Sequence, residues 1–525
     1  MNSKILLVKN IHIDRQYTNV LSYSEAQMLE LCQANLVAQA DNYSFLRPTG
    51  SIMAGFTYAQ CLQANYIAFQ NPDYSNKWFF AWIDDVIYKG DKNTEITFTV
   101  DAWSTWFDKW QKKTCFINRQ HVNDDTIGLH TVPENIDVGE VIEESYEGFP
   151  IISSDSDKNQ FYYAFECTYN PYTEKDFIGM SKINGSLSGA WIFLFKAYSG
   201  SIGLPEIHNF ISDINTANKI ESLKNVYILP KYLVDAIGTT EYHKSGEGAY
   251  TFYLLNDSDS SKIIPYNFKV VRKYNDFTPK NNKCFCYPYN YMLISNNVGN
   301  YNIYKYEDFI LDGEINENPI VEIECAVSIG GSIRLVPKGY KNIDSNYDES
   351  LSLSKFPSCS WSSDSFTNWL TQNGVNIATS IVSTVASVAS GNIASTAGNI
   401  ANIIGQFYQA SLLPSISGGN NTGDVNFSSR SNIFAFHHMR VKTEYLKIID
   451  DYFTRFGYAI KSIEMPNITG RRYWNYVEIG ANEEIGYGEV PSKFMDIINN
   501  ACRKGVTIWH NHANVGNYSL DNSIV

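Results

Sequence analysis

The sequence lacks a positive excess: 41 Lys and Arg stand against 55 Asp and Glu, a formal charge of -14 over 525 residues. That balance excludes a protein that grips nucleic acid by neutralising phosphates. It leaves room for a passage through which DNA moves, because a wall that repels phosphate weakly does not hold a duplex in place. Cysteine is sparse, with nine residues at long intervals, and neither a zinc spacing nor the dense pattern of a disulfide scaffold is visible. The expected state is reduced, buried thiols. The one close pair, Cys284 and Cys286, predicts two thiols on one face of a strand. The opening MNSKILLVKNIHIDRQ has too short an apolar stretch for a signal peptide and reads as a strand.

Catalytic signatures are also missing. No GxxxxGKS or GxxxxGKT, no GxSxG and no strand-linked GxGxxG occurs, so an enzyme reading has no residue to rest on and no cofactor is expected. His510 and His512 in WHNH would share a strand face, yet no third metal ligand is near. His437 and His438 are adjacent and point opposite ways in a strand, and Glu241 with His243 lacks the i, i+4 spacing of a helical zinc pair. Hydrogen-bonded or surface histidines explain all of these, and no metal site is assigned. The acid pairs Asp84 and Asp85, Glu143 and Glu144, and Asp450 and Asp451 are neighbours in sequence. They are read as a solvated face, not as the flanking carboxylates of a glycosidase.

What the sequence has in quantity is aromatic residues: 36 Tyr, 29 Phe and 10 Trp, a load that favours pleated sheet. The length admits about two to four domains. Residues 4–13 and 96–100 cluster apolar residues at strand length, and YIAFQNPDYSNKWFFAWIDDVIYKG reads as two strands around an Asn-Pro-Asp turn. Ser22 and Glu25 have capping-box spacing, followed by Met28, Leu29, Cys32 and Leu36 at helical intervals. Between 123 and 355, short strands such as FYYAFEC, WIFLFKAY, FYLL, IVEIECAVSI and GSIRLVP alternate with polar loops, without a fixed repeat. MRVKTEYLKIIDDYFTRF, residues 439–456, predicts an amphipathic helix with Tyr445, Ile448, Ile449, Tyr452, Phe453 and Phe456 on one side, closed by Gly457. Strands in YAIKSIEM, RYWNYVEI and GVTIWHN follow. The fold class is therefore mainly β with some helix, α+β.

One stretch has no charge at all: Ser365–Gly423 contains no Asp, Glu, Lys or Arg in 59 residues, where the chain-wide 18% predicts about 11. It has no run of 18 purely apolar residues, so it is not an ordinary transmembrane helix. A charge at mid-bilayer costs roughly 2.5–3.5 kcal/mol even on lenient scales, and this stretch has none to carry. Ser and Thr can bond back to the preceding turn, while Gly and Ala let helices approach closely. Three readings fit these residues: a membrane-active segment, a flexible linker, and a small-residue helix buried in a subunit interface. Ile377, Ile381, Val385 and Val388 at helical spacing count against a plain linker.

Three blocks carry a family resemblance. The first is YIAFQNPDYSNKWFFAWIDDV at Tyr66–Val86 with FTVDAWSTWFDKW and FINRQHV within Phe98–Val122. The second is YFTRFGYAIKSIEMPNITGRRYWNYVEI at Tyr452–Ile479, and the third is GVTIWHNHANVGNYSLDN at Gly505–Asn522. In these blocks the chain resembles the tail knob, or major tail, proteins of small short-tailed phages that infect Gram-positive bacteria. The resemblance implies a structural virion protein of the phage tail, made in the host cytoplasm and not an enzyme. It implies a β-barrel-like tube domain from both chain ends, residues 1–122 and 431–525, with an inserted β-rich region at 123–355. Residues 356–430 would be a long uncharged hydrophobic loop, and six copies would assemble as a hollow hexameric cylinder.

In that scheme the loop plugs the distal tube and is released to act on the host membrane. The residues implied to do so are Trp369, Ile377, Ile381, Val382, Val385, Val388, Ile393, Ile400, Ile403, Ile404, Phe407, Leu412 and Leu413. The partners implied are five further copies of the chain, other phage tail proteins, the host cell membrane, and phage DNA passing through the lumen without specific binding. An alternative is a receptor-binding protein whose middle region holds host cell-wall polysaccharide on exposed aromatics. A wall hydrolase is the remaining alternative, for which no catalytic signature is present.

Overall fold

The computed structural model describes residues 4–46, 50–71, 75–150 and 432–525, most of 161–360, and the pair Gly419 and Asn420. Strands dominate, with a few helices, and the chain divides into two compact units. One comprises Met1–Gly139, Lys273–Cys284 and Thr443–Val525; the other comprises Glu140–Arg272 and Phe285–Lys442.

In the first unit a seven-stranded antiparallel sheet runs in the order Leu36–Ala40, Ile5–Val8, Tyr66–Asn71, Lys77–Gly90, Asn93–Val100, Ser51–Ala54, Tyr43–Leu46. The expected pair of strands is present, with Tyr66 opposite Trp82 and Asn71 opposite Lys77. Tyr66, Ile67, Ala68 and Phe69 are all buried, so this central strand is covered on both faces, as its unbroken apolar run requires.

A second sheet joins the two ends of the sequence. Its order is Asn19–Leu21, Val506–Trp509, Trp474–Ile479, Cys115–Gln120, Tyr458–Glu464, and Asn19–Leu21 runs parallel to Val506–Trp509. Early and late strands are thus interleaved. Trp474 and Trp509 lie side by side, ring centroids 5.0 Å apart, in a buried cluster with Leu21, Met28, Tyr66 and Trp82.

Several local expectations are corrected. The helix Glu25–Ala34 is capped by a reciprocal box between Ser24 and Gln27, not by Ser22 and Glu25. Ser22 is taken by the other chain end, with its hydroxyl 3.2 Å from the Trp509 carbonyl and 2.9 Å from His510 Nδ1, and Glu25 pairs with Lys77 at 2.6 Å. Leu36 lies past the helix, in a strand. The helix expected from 439 begins at Thr443, because Met439, Arg440 and Val441 are held in the ladder of the strand Asn432–Val441. Its buried residues are Leu446, Ile449, Asp450 and Phe453. Tyr445 and Ile448 face solvent, Ile448 at 67% exposure, so the stripe is rotated from the expected one. Gly457 closes the helix at φ +65°, as its position predicts.

Cys284 and Cys286 are not strand residues: Cys284 lies in the single turn Asn282–Phe285 and Cys286 follows it. Among the described residues the short helices Tyr58–Cys61 and Ala102–Trp106 and two longer ones were not foreseen. Ser492–Lys504 buries Phe494, Ile498, Ala501 and Cys502, an i, i+4, i+7, i+8 stripe that Asn499 and Asn500 mask in the sequence. Leu204–Thr216, with Pro205 at a helix start, carries Phe210 onto Phe165, Phe193, Phe195 and Tyr250.

The second unit holds the strands foreseen in the middle of the chain. A four-stranded antiparallel sheet runs Val141–Pro150, Asn432–Val441, Asn290–Ser295, Tyr301–Tyr304. A larger sheet includes, in order, Thr239–Lys244, Tyr250–Leu255, Ser186–Tyr198, Phe161–Cys167, Leu223–Pro230, Ser358–Ser360 and Gly419–Asn420.

Candidate functional site

The thirteen residues expected to act on a membrane, Trp369 through Leu413, lie outside the described residues. What is described is their root. Ser358–Ser360 pairs with Leu223–Pro230 on one side and with Gly419–Asn420 on the other, Ser358 opposite Asn420 and Cys359 opposite Gly419. Residues 361–418 therefore leave and return at two neighbouring strands of one sheet. No helix among the described residues is long and apolar enough to cross a membrane.

The ionic centre of the first unit is a carboxylate clamp. Lys273–Cys284 belongs to this unit although the residues on either side of it belong to the other, and three acids pin it. Asp450 accepts from Lys280 N at 3.0 Å, Asn281 N at 3.0 Å and Asn281 Nδ2 at 2.9 Å. Asp125 accepts from Asn282 N at 3.1 Å and from the Tyr458 hydroxyl at 2.6 Å. Glu134 accepts from Lys283 Nζ, from Arg119 and, at 2.9 Å, from Ala459 N. In the turn Asn282–Phe285, Asn282 N and Lys283 Nζ are thus spent on carboxylates, and Cys284 N donates back to the Asn281 carbonyl at 3.1 Å.

Asp450 is 4% exposed, which corrects its reading as part of a solvated face; only Asp451 stays in water, 3.8 Å from Arg455. Burial lifts Asp125 above the usual carboxylate range, while Tyr458, Asn282 and Arg471 pull it back. Replacing Asp450 with Ala removes the acceptor of the buried Asn281 N and of the part-buried Lys280 N, while Asn281 Nδ2 keeps the Asp450 carbonyl and Thr454 Oγ1. It should lower unfolding stability by about 1–3 kcal/mol, read as an earlier urea midpoint with an unchanged slope.

None of the candidate catalytic groups assembles into a reactive centre. His510 Nδ1 faces Ser22 and its Nε2 lies 3.0 Å from Asn475 Oδ1. His512 stands in a separate turn beyond the strand end, correcting the expectation that both share a strand. Its Nε2 accepts from His12 N at 3.1 Å, and the two imidazoles stack at 5.3 Å. Burial depresses the basicity of His510, and of His512, where His12 adds to the effect. His437 pairs with Glu143 at 2.7 Å and His438 Nδ1 meets the Tyr306 hydroxyl at 2.6 Å.

His243 lies 3.0 Å from Thr251 Oγ1. Glu144 pairs with Arg440 at 2.6 Å, and Asp84 with Arg15 at 2.6 Å. Among the described residues no group of three or more His, Cys, Asp or Glu is arranged to hold a metal ion. Cys32, Cys61, Cys115, Cys167, Cys284, Cys286 and Cys502 are buried and form no disulfide.

One histidine that the sequence did not single out is the most constrained. His121 is fully buried, accepts from Tyr476 N at 2.8 Å through Nδ1, and places Nε2 3.0 Å from the Thr454 carbonyl. Burial, reinforced by Arg471, pushes its pKa down to about 3. No sequence signal points to it, because both partners lie more than three hundred residues away.

The two ends of the sequence are thus woven into one sheet, and the carboxylates of the clamp are held by backbone and side-chain donors of the chain itself. The matches to known proteins agree. Residues 252–523 match the family model of the Bacillus phage phi29 tail knob protein gp9 C-terminal domain, and residues 1–113 match the caudoviral major tail protein N-terminus. The chain is 25% identical to the tail knob protein gp9 of Bacillus phage phi29, with 88% of each chain covered. It is 24% identical to the tail knob protein gp9 of Bacillus phage PZA, over 95% of this chain and 93% of that one. The solved structure of the bacteriophage C1 tail knob protein gp12 superposes with a TM-score of 0.60 at 15% identity, covering all of both chains. The class is thus a structural component of a phage tail, not an enzyme. The chain belongs to the phi29-type tail knob protein family.

Proposed function

We propose that six copies of this chain close into the distal tail tube and that DNA leaves the virion through its lumen. Residues 1–122 and 431–525 form the tube wall, 123–355 an inserted region, and 356–430 a loop that seals the lumen before infection. On contact with the host the loop leaves the lumen and enters the membrane, giving the genome a passage. Closure into a ring removes exposed sheet edges and lets a head-to-tail contact satisfy itself. The acidic composition suits a wall that does not retain phosphate.

The observation that carries the membrane step is the charge-free stretch Ser365–Gly423, together with its paired root strands. A segment anchored at both ends on adjacent strands can exchange a sheltered position for lipid without disturbing the sheet that holds it. Placing Asp at Ile381 or Val385 adds about 2.5–3.5 kcal/mol to the cost of insertion at mid-bilayer. Either variant should lose binding to anionic liposomes in a flotation assay while keeping its oligomeric state. Flotation equal to wild type would count against the loop. Negative-stain images of the purified protein should show six-fold rings with an open or plugged centre; single copies only would count against the tube.

A further inference from the structure

The four-stranded sheet of the second unit turns one face to its core and the other outward. Met292, Ile294, Tyr304 and Phe436 are buried on the inner face. The pairing register sets Ile303, Leu293, His437 and Tyr146 in one row across all four strands, and the pleat sends that row to the opposite face. Tyr301 lies two residues along the same edge strand. Tyr301 is 61% exposed, Tyr146 48% and Ile303 40%.

The rings on this face are braced from the side. Tyr146 and His437 have ring centroids 5.3 Å apart, and Tyr287 meets Tyr291 edge-on at 5.5 Å. Polar groups stand among them: Glu143 on His437 Nδ1 at 2.7 Å, and Lys305 Nζ 5.2 Å from the Tyr287 ring centre.

This mixture selects the ligand. An apolar protein surface would trap the Glu143–His437 pair and the phenols out of water without new partners, at a cost. A polyanion would need a cluster of Arg or Lys, whereas here Lys305 stands against Tyr287 and the carboxylate of Glu143 is paired with His437. A neutral sugar chain offers apolar C–H faces to the rings and hydroxyls to the carboxylate, the imidazole and the phenols. Tyrosine suits such contacts because it presents a large, rigid, amphipathic area at low entropic cost. The row spans three inter-strand steps, about 15 Å, room for a short oligosaccharide.

We infer that the outward face of this sheet, centred on Tyr146 and His437, binds a neutral oligosaccharide of the kind that decorates a bacterial wall. The strand Asn432–Val441, which carries His437, belongs to the proposed tube wall, so sugar binding and oligomeric state are read separately.

The test is calorimetric titration of the full chain with chitotriose, cellotriose and maltotriose, with poly(glycerol phosphate) as the anionic comparator. At least one neutral trisaccharide should bind. Tyr146→Ala should weaken it roughly tenfold, Tyr146→Phe should weaken it less, and the circular dichroism spectrum should stay that of wild type. Replacing residues 361–418 with a short Gly-Ser linker should leave sugar binding intact even where membrane activity is lost. Absence of binding by all three sugars at millimolar concentration, binding of the polyanion alone, or unchanged affinity in Tyr146→Ala would overturn the proposal. A change of sedimentation coefficient in Tyr146→Ala would overturn it too, by assigning the face to contact between copies.

Discussion

Gly457→Ala is expected to destabilise the protein by about 3–5 kcal/mol. Gly457 ends the helix Thr443–Phe456 at φ +65°, a conformation that costs an L side chain about 1–2 kcal/mol. A β-carbon there would also overlap the Gln120 carbonyl and stand 2.5 Å from His121 N. The obstacle is backbone of the neighbouring strand, which cannot rotate away as a side-chain end can. Two late elements are set by this glycine against one early strand, since Arg119 also donates to the Gly457 carbonyl at 2.7 Å. The expected readout is a large loss of urea resistance. A midpoint within error of wild type would show that the chain can separate here, against the tight approach described.

Acid is expected to weaken the fold through His121, by roughly 4 kcal/mol between neutral pH and pH 3. In the neutral ring Nδ1 accepts from Tyr476 N and Nε2 donates to Thr454 O. A proton on Nδ1 would break the first bond and bury a charge beside Arg471. The folded-state pKa of about 3 lies below the unfolded value near 6.5, so the native state binds fewer protons between the two. The contribution is therefore complete above about pH 6.5 and is lost as pH falls toward 3. His438, His510 and His512 are shifted in the same direction and add to the slope. Urea titrations from pH 7 to pH 4 should show falling stability in wild type and a shallower fall in His121→Gln. Equal slopes would remove His121 from the account.

Much of the architecture was legible because strand signals here are strong and local. Tyr66–Asn71 and Lys77–Gly90 carry their aromatics on either side of the sequence Asn-Pro-Asp, and the mainly β class followed from residues of that kind. The helix cap was misassigned because Ser22 and Ser24 both precede the helix. The choice falls to Ser24 only because Ser22 bonds to a strand near the other chain end. The rotation of the helix stripe has a similar origin: Asp450 is buried because backbone donors 169 and 170 residues earlier in the chain come to meet it.

The residues that hold the first unit together, His121, Asp125, Glu134, Lys283 and Asp450, make their decisive contacts across long sequence distances. No spacing rule reaches that far. The uncharged stretch is the reverse case, conspicuous in composition and, apart from Gly419 and Asn420, outside the described residues.

The proposed opening of a membrane by the uncharged loop is tested most directly by dye release from anionic liposomes. The full chain is compared with one in which Ser365–Gly423 is replaced by a short Gly-Ser linker. Leakage is expected from the full chain and none from the replacement, with both forming the same oligomer. Equal leakage from both, or leakage from neither, would contradict the proposal.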